Sequence, residues 1–281
     1  MKIQQDGFPG GKVFLSAGLA VSGMLLLPGH GNAQSVTLSD NGSTANVNLS
    51  GASAGMNSWS VPGLNQSQLN LQWFYYSVNG GGVQAINAIG TPSFSQSSAN
   101  FLDVTYANAQ LSIEIQYTLQ GKGTGSADIT ESIMADNLSG TAFNLNLFEY
   151  SNFNLLQSGN NSVTVFSDPA GGGYNFVRQT SGSTAIQEGI TSPDANFAEA
   201  GNATPTLTAV TSGSNLNNNL SAGPGNVAWA FEWDPNIGAG QEFDIFKDKS
   251  LSIAMVPEPS SVALMALALG ACAWVRRRQS P

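Results

Sequence analysis

The sequence predicts an all-β fold, an antiparallel β-sandwich of jelly-roll type, flanked by an N-terminal signal helix and a C-terminal transmembrane helix. Apolar residues alternate with polar residues between positions 34 and 255. Clusters rich in glycine, asparagine and serine separate these alternating segments, as turns do. The N-terminal and C-terminal segments differ from this pattern, because each carries an apolar run. The run has 15 residues in the N-terminal segment and 16 residues in the C-terminal segment. A closed barrel is the alternative arrangement of the same strands.

The N-terminal segment has the three parts of a secretory signal. Two lysines precede the apolar run 13–27, and a short polar stretch follows it and ends at Ala33. Gly31 and Ala33 supply the small residues that signal peptidase accepts before its cleavage site. A membrane anchor is the alternative, but 15 residues fall short of the ~20 that span a bilayer. We therefore expect residues 1–33 to be a signal peptide that signal peptidase cuts after Ala33.

The body of the chain, residues 34–255, has a hydrophobic period of two. Its clearest stripe is the apolar series Leu111, Ile113, Ile115, Tyr117 and Leu119. Similar stripes occur at 69–75, 143–147, 227–233 and 243–253. One apolar face and one polar face are typical of antiparallel strands. We expect no amphipathic helix here, and we expect loops in the segment 191–225.

The body's composition excludes several classes of function. It has four basic and 16 acidic residues, a formal charge of −12, which removes the basic surface that nucleic acid requires. His30 and Cys272 lie in the ends, so the body has no catalytic triad, no Cys–His pair and no imidazole or thiolate metal site. Carboxylate chemistry and oxygen-ligated Ca²⁺ remain open. We assign no catalytic residue, cofactor or metal ion.

Acidic residues supply the remaining candidates for chemistry. Glu232 and Asp234 share one face of a strand, with stems ~6.6 Å apart, a spacing seen between the two acids of inverting glycosidases. An ordinary solvated strand end explains the same pattern, so catalysis is the weaker hypothesis. Asp168, beside the glycines 171–173, and Asp194, with Asn196, are loop acids that could bind Ca²⁺. Neither cluster has the D-x-D-x-D-G pattern of a calcium loop.

Aromatic residues give the candidates for glycan binding. Those on the apolar stripes, such as Trp73, Tyr75, Trp229 and Trp233, are expected in the core. Four others fall on the polar phase of their strands: Phe74, Tyr76, Phe148 and Tyr150. They indicate either strands that are covered on both faces or an exposed contact patch for a glycan.

The C-terminal segment has a fixed order of features. Val256, Pro257, Glu258 and Pro259 form an extended stretch that can join neither helix nor sheet. The apolar run 260–275 follows, and the arginines Arg276, Arg277 and Arg278 come directly after it. Arginines beyond a membrane helix stay on the cytoplasmic side, so this order places the body across the inner membrane.

This segment resembles the PEP-CTERM sorting signal of Gram-negative bacteria. The resemblance implies that a membrane-embedded exosortase recognises the 256–259 motif and processes the chain, in hosts that make exopolysaccharide. We therefore expect an exported, non-catalytic surface or matrix protein, anchored in the inner membrane before processing and associated with exopolysaccharide or biofilm. A lectin-like carbohydrate-binding module is the alternative, and a carboxylate-dependent glycoside hydrolase is the third hypothesis.

Overall fold

The computed structural model of the chain describes residues 34–64, 66–123 and 125–253. Several predicted features lie outside the described residues: the signal peptide with its cleavage after Ala33, the motif 256–259, the apolar run 260–275 and the arginines 276–278. Among the residues that are described, no helix is long and apolar enough to cross a bilayer.

The described chain forms eighteen strands, one α-helix and two 3₁₀ turns, at Ile86–Ala88 and Leu155–Gln157. The first nine strands are β1 (Ser35–Asp40), β2 (Ser43–Asn48), β3 (Gly55–Ser60), β4 (Leu69–Val78), β5 (Gln84–Ala85), β6 (Ser93–Ser98), β7 (Phe101–Ala107), β8 (Leu111–Gly121) and β9 (Ser126–Asn137). The others are β10 (Phe143–Phe153), β11 (Asn161–Ser167), β12 (Tyr174–Ser181), β13 (Thr184–Ser192), β14 (Phe197–Asn202), β15 (Ser221–Gly225), β16 (Val227–Trp233), β17 (Asn236–Ile237) and β18 (Glu242–Ile253), with helix α1 (Ala203–Thr211) between β14 and β15.

These strands form two antiparallel sheets of nine strands each. Sheet A has the order β1-β2-β3-β4-β10-β16-β14, with β5 paired to β4 and β17 paired to β10. Sheet B has the order β15-β11-β12-β13-β18-β9-β8-β7-β6. Two antiparallel sheets confirm the all-β, two-layer prediction. A jelly roll has eight strands in total, whereas the described chain has eighteen. The structure therefore shares with a jelly roll the two antiparallel layers but not the number of strands.

The core lies between the inner faces of the two sheets. The predicted stripe on β8 is buried, from Leu111 to Leu119. Large aromatic rings fill the centre, where Phe153 stacks on Trp229 with ring centroids 5.4 Å apart, and Trp59 meets Phe153 edge-on at 6.1 Å. Burying rings of this size gives a large hydrophobic stabilisation at ~25 cal/mol per Å² of apolar surface.

Helix α1 corrects the expectation that the body has no helix. The helix lies inside the segment 191–225, which we expected to be loop-rich, and it covers the outer face of sheet A. Its buried Val210 belongs to a second, smaller core with Phe148 and Tyr150. The Tyr150 hydroxyl donates a hydrogen bond to the carbonyl of Ala203 at 3.0 Å. The sequence signal was weak, because nine residues give few helical repeats and five of them are threonine or proline.

A close backbone contact joins β1 of sheet A to β8 of sheet B. The Gly121 N–H donates to Asp40 Oδ2 at 2.8 Å, and the Asn41 amide donates to the Gly121 carbonyl at 2.9 Å. A Cβ atom on Gly121 would lie 2.1 Å from the Asp40 carbonyl oxygen. Only glycine therefore allows the two chains to approach this closely at this edge of the sandwich.

Substituting Gly121→Ala should lower the free energy of unfolding by about 1–3 kcal/mol, because the methyl group forces the two strands apart. Urea denaturation followed by tryptophan fluorescence measures the change. Gly82→Ala is the matched control, since a Cβ atom there meets nothing within 4 Å. Equal stability of the two variants would contradict the close contact.

Candidate functional site

Five charged side chains meet between the two sheets. Lys247 and Lys249 come from β18, Glu131 from β9 and Glu188 from β13, all in sheet B, whereas Glu149 comes from β10 in sheet A. Each of the five residues is at most 1% exposed. We call this set the inter-sheet ion cluster.

Each lysine of the inter-sheet ion cluster contacts all three carboxylates. Lys249 Nζ lies 2.6 Å from Glu149, 3.1 Å from Glu131 and 3.2 Å from Glu188. Lys247 Nζ lies 2.8 Å from Glu149 and 3.0 Å from Glu188, and it also pairs with Glu131. Buried charges need this degree of compensation, because water is absent from their surroundings.

Neutral groups complete the cluster. The Gln72 amide donates to Glu131 and Glu149 at 3.3 Å, and the Trp229 indole donates to Glu188 at 2.8 Å. Lys247 Nζ also lies 5.2 Å from the centre of the Phe74 ring, a cation–π distance. Phe74 therefore faces the ion cluster rather than solvent.

Burial and mutual charge set the protonation states of the cluster. Burial, together with the Glu149 charge, raises the pKa of Glu188 to about 7. Burial also acts to raise the pKa of Glu149, but the two lysines outweigh it and hold that pKa well below its usual range. For Lys247 and Lys249 burial acts downward, but the three carboxylates outweigh it and raise both pKa values. Glu188 therefore keeps its proton below about pH 7.

Strand periodicity explains why these charges are inside. Lys247 and Lys249 continue the inward phase of Ile245 and Leu251 on β18. Our sequence reasoning missed the cluster, although a charged residue in phase with an apolar stripe was a readable signal. The cluster is buried, and its ion pairs connect Glu149 of sheet A to Lys247 and Lys249 of sheet B.

The carboxylates of Glu232 and Asp234 lie together near the outer face of sheet A. Glu232 is fully buried and accepts a hydrogen bond from the Leu216 N–H at 2.8 Å. Burial, with the charge and hydrogen bond of Asp234, raises the pKa of Glu232 to about 7. Asp234 also accepts from the Asn146 amide at 2.7 Å. Acids that flank a scissile glycosidic bond stand about 5–9.5 Å apart at an accessible cleft, whereas Glu232 is fully buried.

The four candidate glycan aromatics do not form one surface. In the pairing of β10 with β4, Phe148 lies opposite Tyr75 and Glu149 opposite Phe74. Phe74 and Tyr76 therefore share the inner phase of sheet A, whereas Phe148 and Tyr150 face outward beneath α1. Phe74, Phe148 and Tyr150 are at most 3% exposed, so these three rings cannot reach a glycan. Tyr76 is partly exposed.

Two of the predicted loop acids come together. The charge of Asp168 and a hydrogen bond with it add to burial and raise the pKa of Asp194. Asn196 is used elsewhere, because its side-chain oxygen accepts the Asp234 N–H at 2.9 Å. Within the described ranges, no group of three or more acidic, histidine or cysteine side chains could hold a metal ion.

An open cavity of about 500 Å³ lies beside β4 and α1, and we call it the Tyr75 cavity. Its apolar wall includes Leu71, Trp73, Tyr75 and Leu207 of α1, and its polar wall includes Ser53, Asn57, Asn70 and Asn87. The Trp73 indole donates to Asn87 at 3.1 Å, which fixes both side chains. The lining residues include no acid and no base. The volume falls within the usual range of small-ligand sites.

The C-terminal segment identifies the export route. Residues 256–279 match the family model of the PEP-CTERM protein-sorting motif. This chain carries an exosortase sorting motif. The match confirms the resemblance that the sequence showed, and the PEP-CTERM motif implies export, sorting to the cell surface and processing by an exosortase. The comparison with curated proteins found no match.

Solved structures share the fold of the described domain at low identity. A bacterial glucoamylase complexed with acarbose has a TM-score of 0.56 and 10% identity over 85% of this chain. The chain spans only 36% of that glucoamylase. The Slr1438 protein from Synechocystis sp. PCC 6803 has a TM-score of 0.50 and 10% identity, over 79% of this chain and 97% of its own. At these identities the likeness shows the fold alone.

Removing one lysine from the inter-sheet ion cluster should destabilise the PEP-CTERM protein strongly. Lys247→Met leaves three buried carboxylates with one cation, and we expect a loss of about 3–5 kcal/mol in the free energy of unfolding. Lys122→Met is the control, because Lys122 pairs with Asp128 at the surface and should contribute about 1 kcal/mol or less. Urea denaturation measures the free energy of unfolding of both variants. A loss in Lys247→Met as small as that in Lys122→Met would refute a tightly compensated cluster.

The raised pKa of Glu188 predicts a pH-dependent stability. Between its ordinary value of 4.5 and about 7, the folded protein keeps a proton that the unfolded chain has released. This contribution is complete below pH 4.5 and is lost as the pH rises through 7, with a slope approaching ~1.4 kcal/mol per pH unit.

Glu188→Gln should reduce the slope of the free energy of unfolding against pH. The measurement is the free energy of unfolding at several pH values from 5 to 7.5. Glu242→Gln, an exposed change at the start of β18, should leave the slope as it is in the wild type. A Glu188→Gln profile parallel to that of the wild type would show that Glu188 does not hold the proton.

Proposed function

We propose that the exported domain is a non-catalytic component of the cell surface or extracellular matrix that associates with exopolysaccharide, in a biofilm for example, through the Tyr75 cavity. Before processing, the apolar run 260–275 would anchor the chain in the inner membrane, and exosortase would then release it. The sorting motif supports the destination, and the cavity supports the ligand class.

The composition of the cavity wall carries this proposal. The partly exposed Tyr75 and Leu71, with the buried Trp73 behind them, form one side, and amide and hydroxyl side chains form the other. A sugar ring has the same two characters, since its C–H faces pack on aromatic rings and its hydroxyls bond to amides. Tyr75 is half-buried, so its ring is held in place while part of it stays accessible.

The positions of the acids support binding without catalysis. Glycosidases need a general acid and a second carboxylate at the sugar, and the lining of the cavity has neither. Glu131, Glu149 and Glu188 are occupied in the inter-sheet ion cluster. Glu232 is buried, accepts a hydrogen bond from the Leu216 N–H and is not among the residues that line the cavity.

Substituting Tyr75→Ala should weaken glycan binding about tenfold, the equivalent of ~1.4 kcal/mol, because the stacking surface is lost. The measurement is a glycan-array screen of the full-length protein that includes the host's own exopolysaccharide, followed by titration of the best neutral ligand.

Tyr76→Ala is the matched control, since this neighbouring tyrosine lies on the opposite phase of β4 and should leave the affinity unchanged. Equal losses in the two variants would remove the Tyr75 cavity as the binding site. Turnover of a bound glycan would overturn the non-catalytic proposal, and loss of that turnover in Glu232→Gln would instead support the glycoside hydrolase.

A further inference from the structure

The outer face of sheet B carries a polar surface on β11 and β12. Arg178 of β12 is exposed and lies directly opposite Thr164 of β11. The next pair on the same face is Ser162 opposite Thr180. Three hydroxyl groups therefore surround the guanidinium, and they line a shallow cavity of about 380 Å³ with it.

An aromatic pair borders the other side of Arg178. Phe166 lies opposite Phe176, with ring centroids 5.5 Å apart. Phe166 is 45% exposed, which is unusual for a ring of this size on a polar sheet face. The neighbouring ring supports it, so Phe166 presents a fixed apolar surface beside the cation.

The charge of Arg178 is distinctive in this domain. The structure describes four basic residues, of which Lys247 and Lys249 are buried and Lys122 pairs with Asp128. Arg178 is the one basic residue of the described part without a carboxylate in ion-pair distance. Its cross-strand neighbours, Thr164 and Gln187, are neutral.

We propose that this surface, the Arg178 patch (Ser162, Thr164, Phe166, Arg178 and Thr180), binds the carboxylate of an acidic sugar within a polysaccharide. A guanidinium donates two parallel hydrogen bonds to a carboxylate. The three hydroxyls match the hydroxyls of the sugar, and Phe166 matches a C–H face of its ring. The net negative charge of the domain repels a polyanion, but at 0.1 M salt this repulsion is screened beyond ~10 Å. Attraction between the polymer and the domain must therefore come from short-range contacts at Arg178.

The Arg178 patch is independent of the Tyr75 cavity. The cavity lies beside β4 of sheet A, whereas the patch lies on β11 and β12 of sheet B. A domain with both sites would connect two polysaccharide chains, one on each sheet, and the acidic sugar would be selected only by the patch.

The test measures binding of the detergent-solubilised full-length protein to polygalacturonate, alginate and hyaluronate in 0.1 M salt, with dextran as the uncharged comparison. We expect the wild-type protein to bind at least one uronate polymer. The Arg178→Gln variant should bind that polymer with an affinity at least tenfold lower. Arg178→Lys should recover only part of it, because lysine lacks the bidentate fork. Phe166→Ala should lower the affinity for the same polymer several-fold. Thermal unfolding confirms that each surface variant is folded.

Lys122→Gln is the matched control, since it removes the same charge from the connection between β8 and β9, outside the patch, and should change the affinity by less than twofold. Equal losses in Arg178→Gln and Lys122→Gln would reduce the effect to net charge and overturn the proposal. Absence of binding to all three uronate polymers, or binding to sulfated dextran alone, would also overturn it. If Tyr75→Ala lowers the affinity for the uronate polymer and Arg178→Gln does not, the Arg178 patch is refuted as the binding site and the Tyr75 cavity is supported.

Discussion

The sandwich depends on the compensation of charge at its centre. Two lysines and three glutamates lie buried between the sheets, and each lysine is stable there because all three carboxylates surround it. Glu149 is the one acid that sheet A contributes, so the two sheets must meet in a single register for the charges to balance. An apolar core of equal volume could be as stable, but it would tolerate more than one register.

That internal arrangement decides where function can lie. The ion cluster occupies three carboxylates, and Glu232 is buried and accepts the Leu216 N–H. Helix α1 closes part of the outer face of sheet A and leaves the Tyr75 cavity at its margin. On sheet B, Arg178 is exposed and has no carboxylate within ion-pair distance among the described residues. The two sites that we propose would recognise sugars, in agreement with a motif that implies sorting to the cell surface.

Local patterning predicted most of the architecture. Alternation along β8, β10, β16 and β18 placed the strands, since a strand that is buried on one face must repeat every two residues. The same rule predicted the buried ring of Trp229. It failed at α1, which is short and gains its stability from packing on Phe148 and Tyr150 rather than from its own periodicity. It also could not give the order of the strands, because pairing partners are distant in the chain.

The sequence by itself determined the export route, the β class and the absence of imidazole and thiol chemistry from the exported body. These properties follow from contiguous motifs, from short-range periodicity and from composition. The tertiary structure alone decided which charges are buried together, which aromatics are covered and where cavities open. Those features arise between strands that are far apart in sequence, as Glu131 and Lys247 are, so their chemistry exists only once the two sheets have packed.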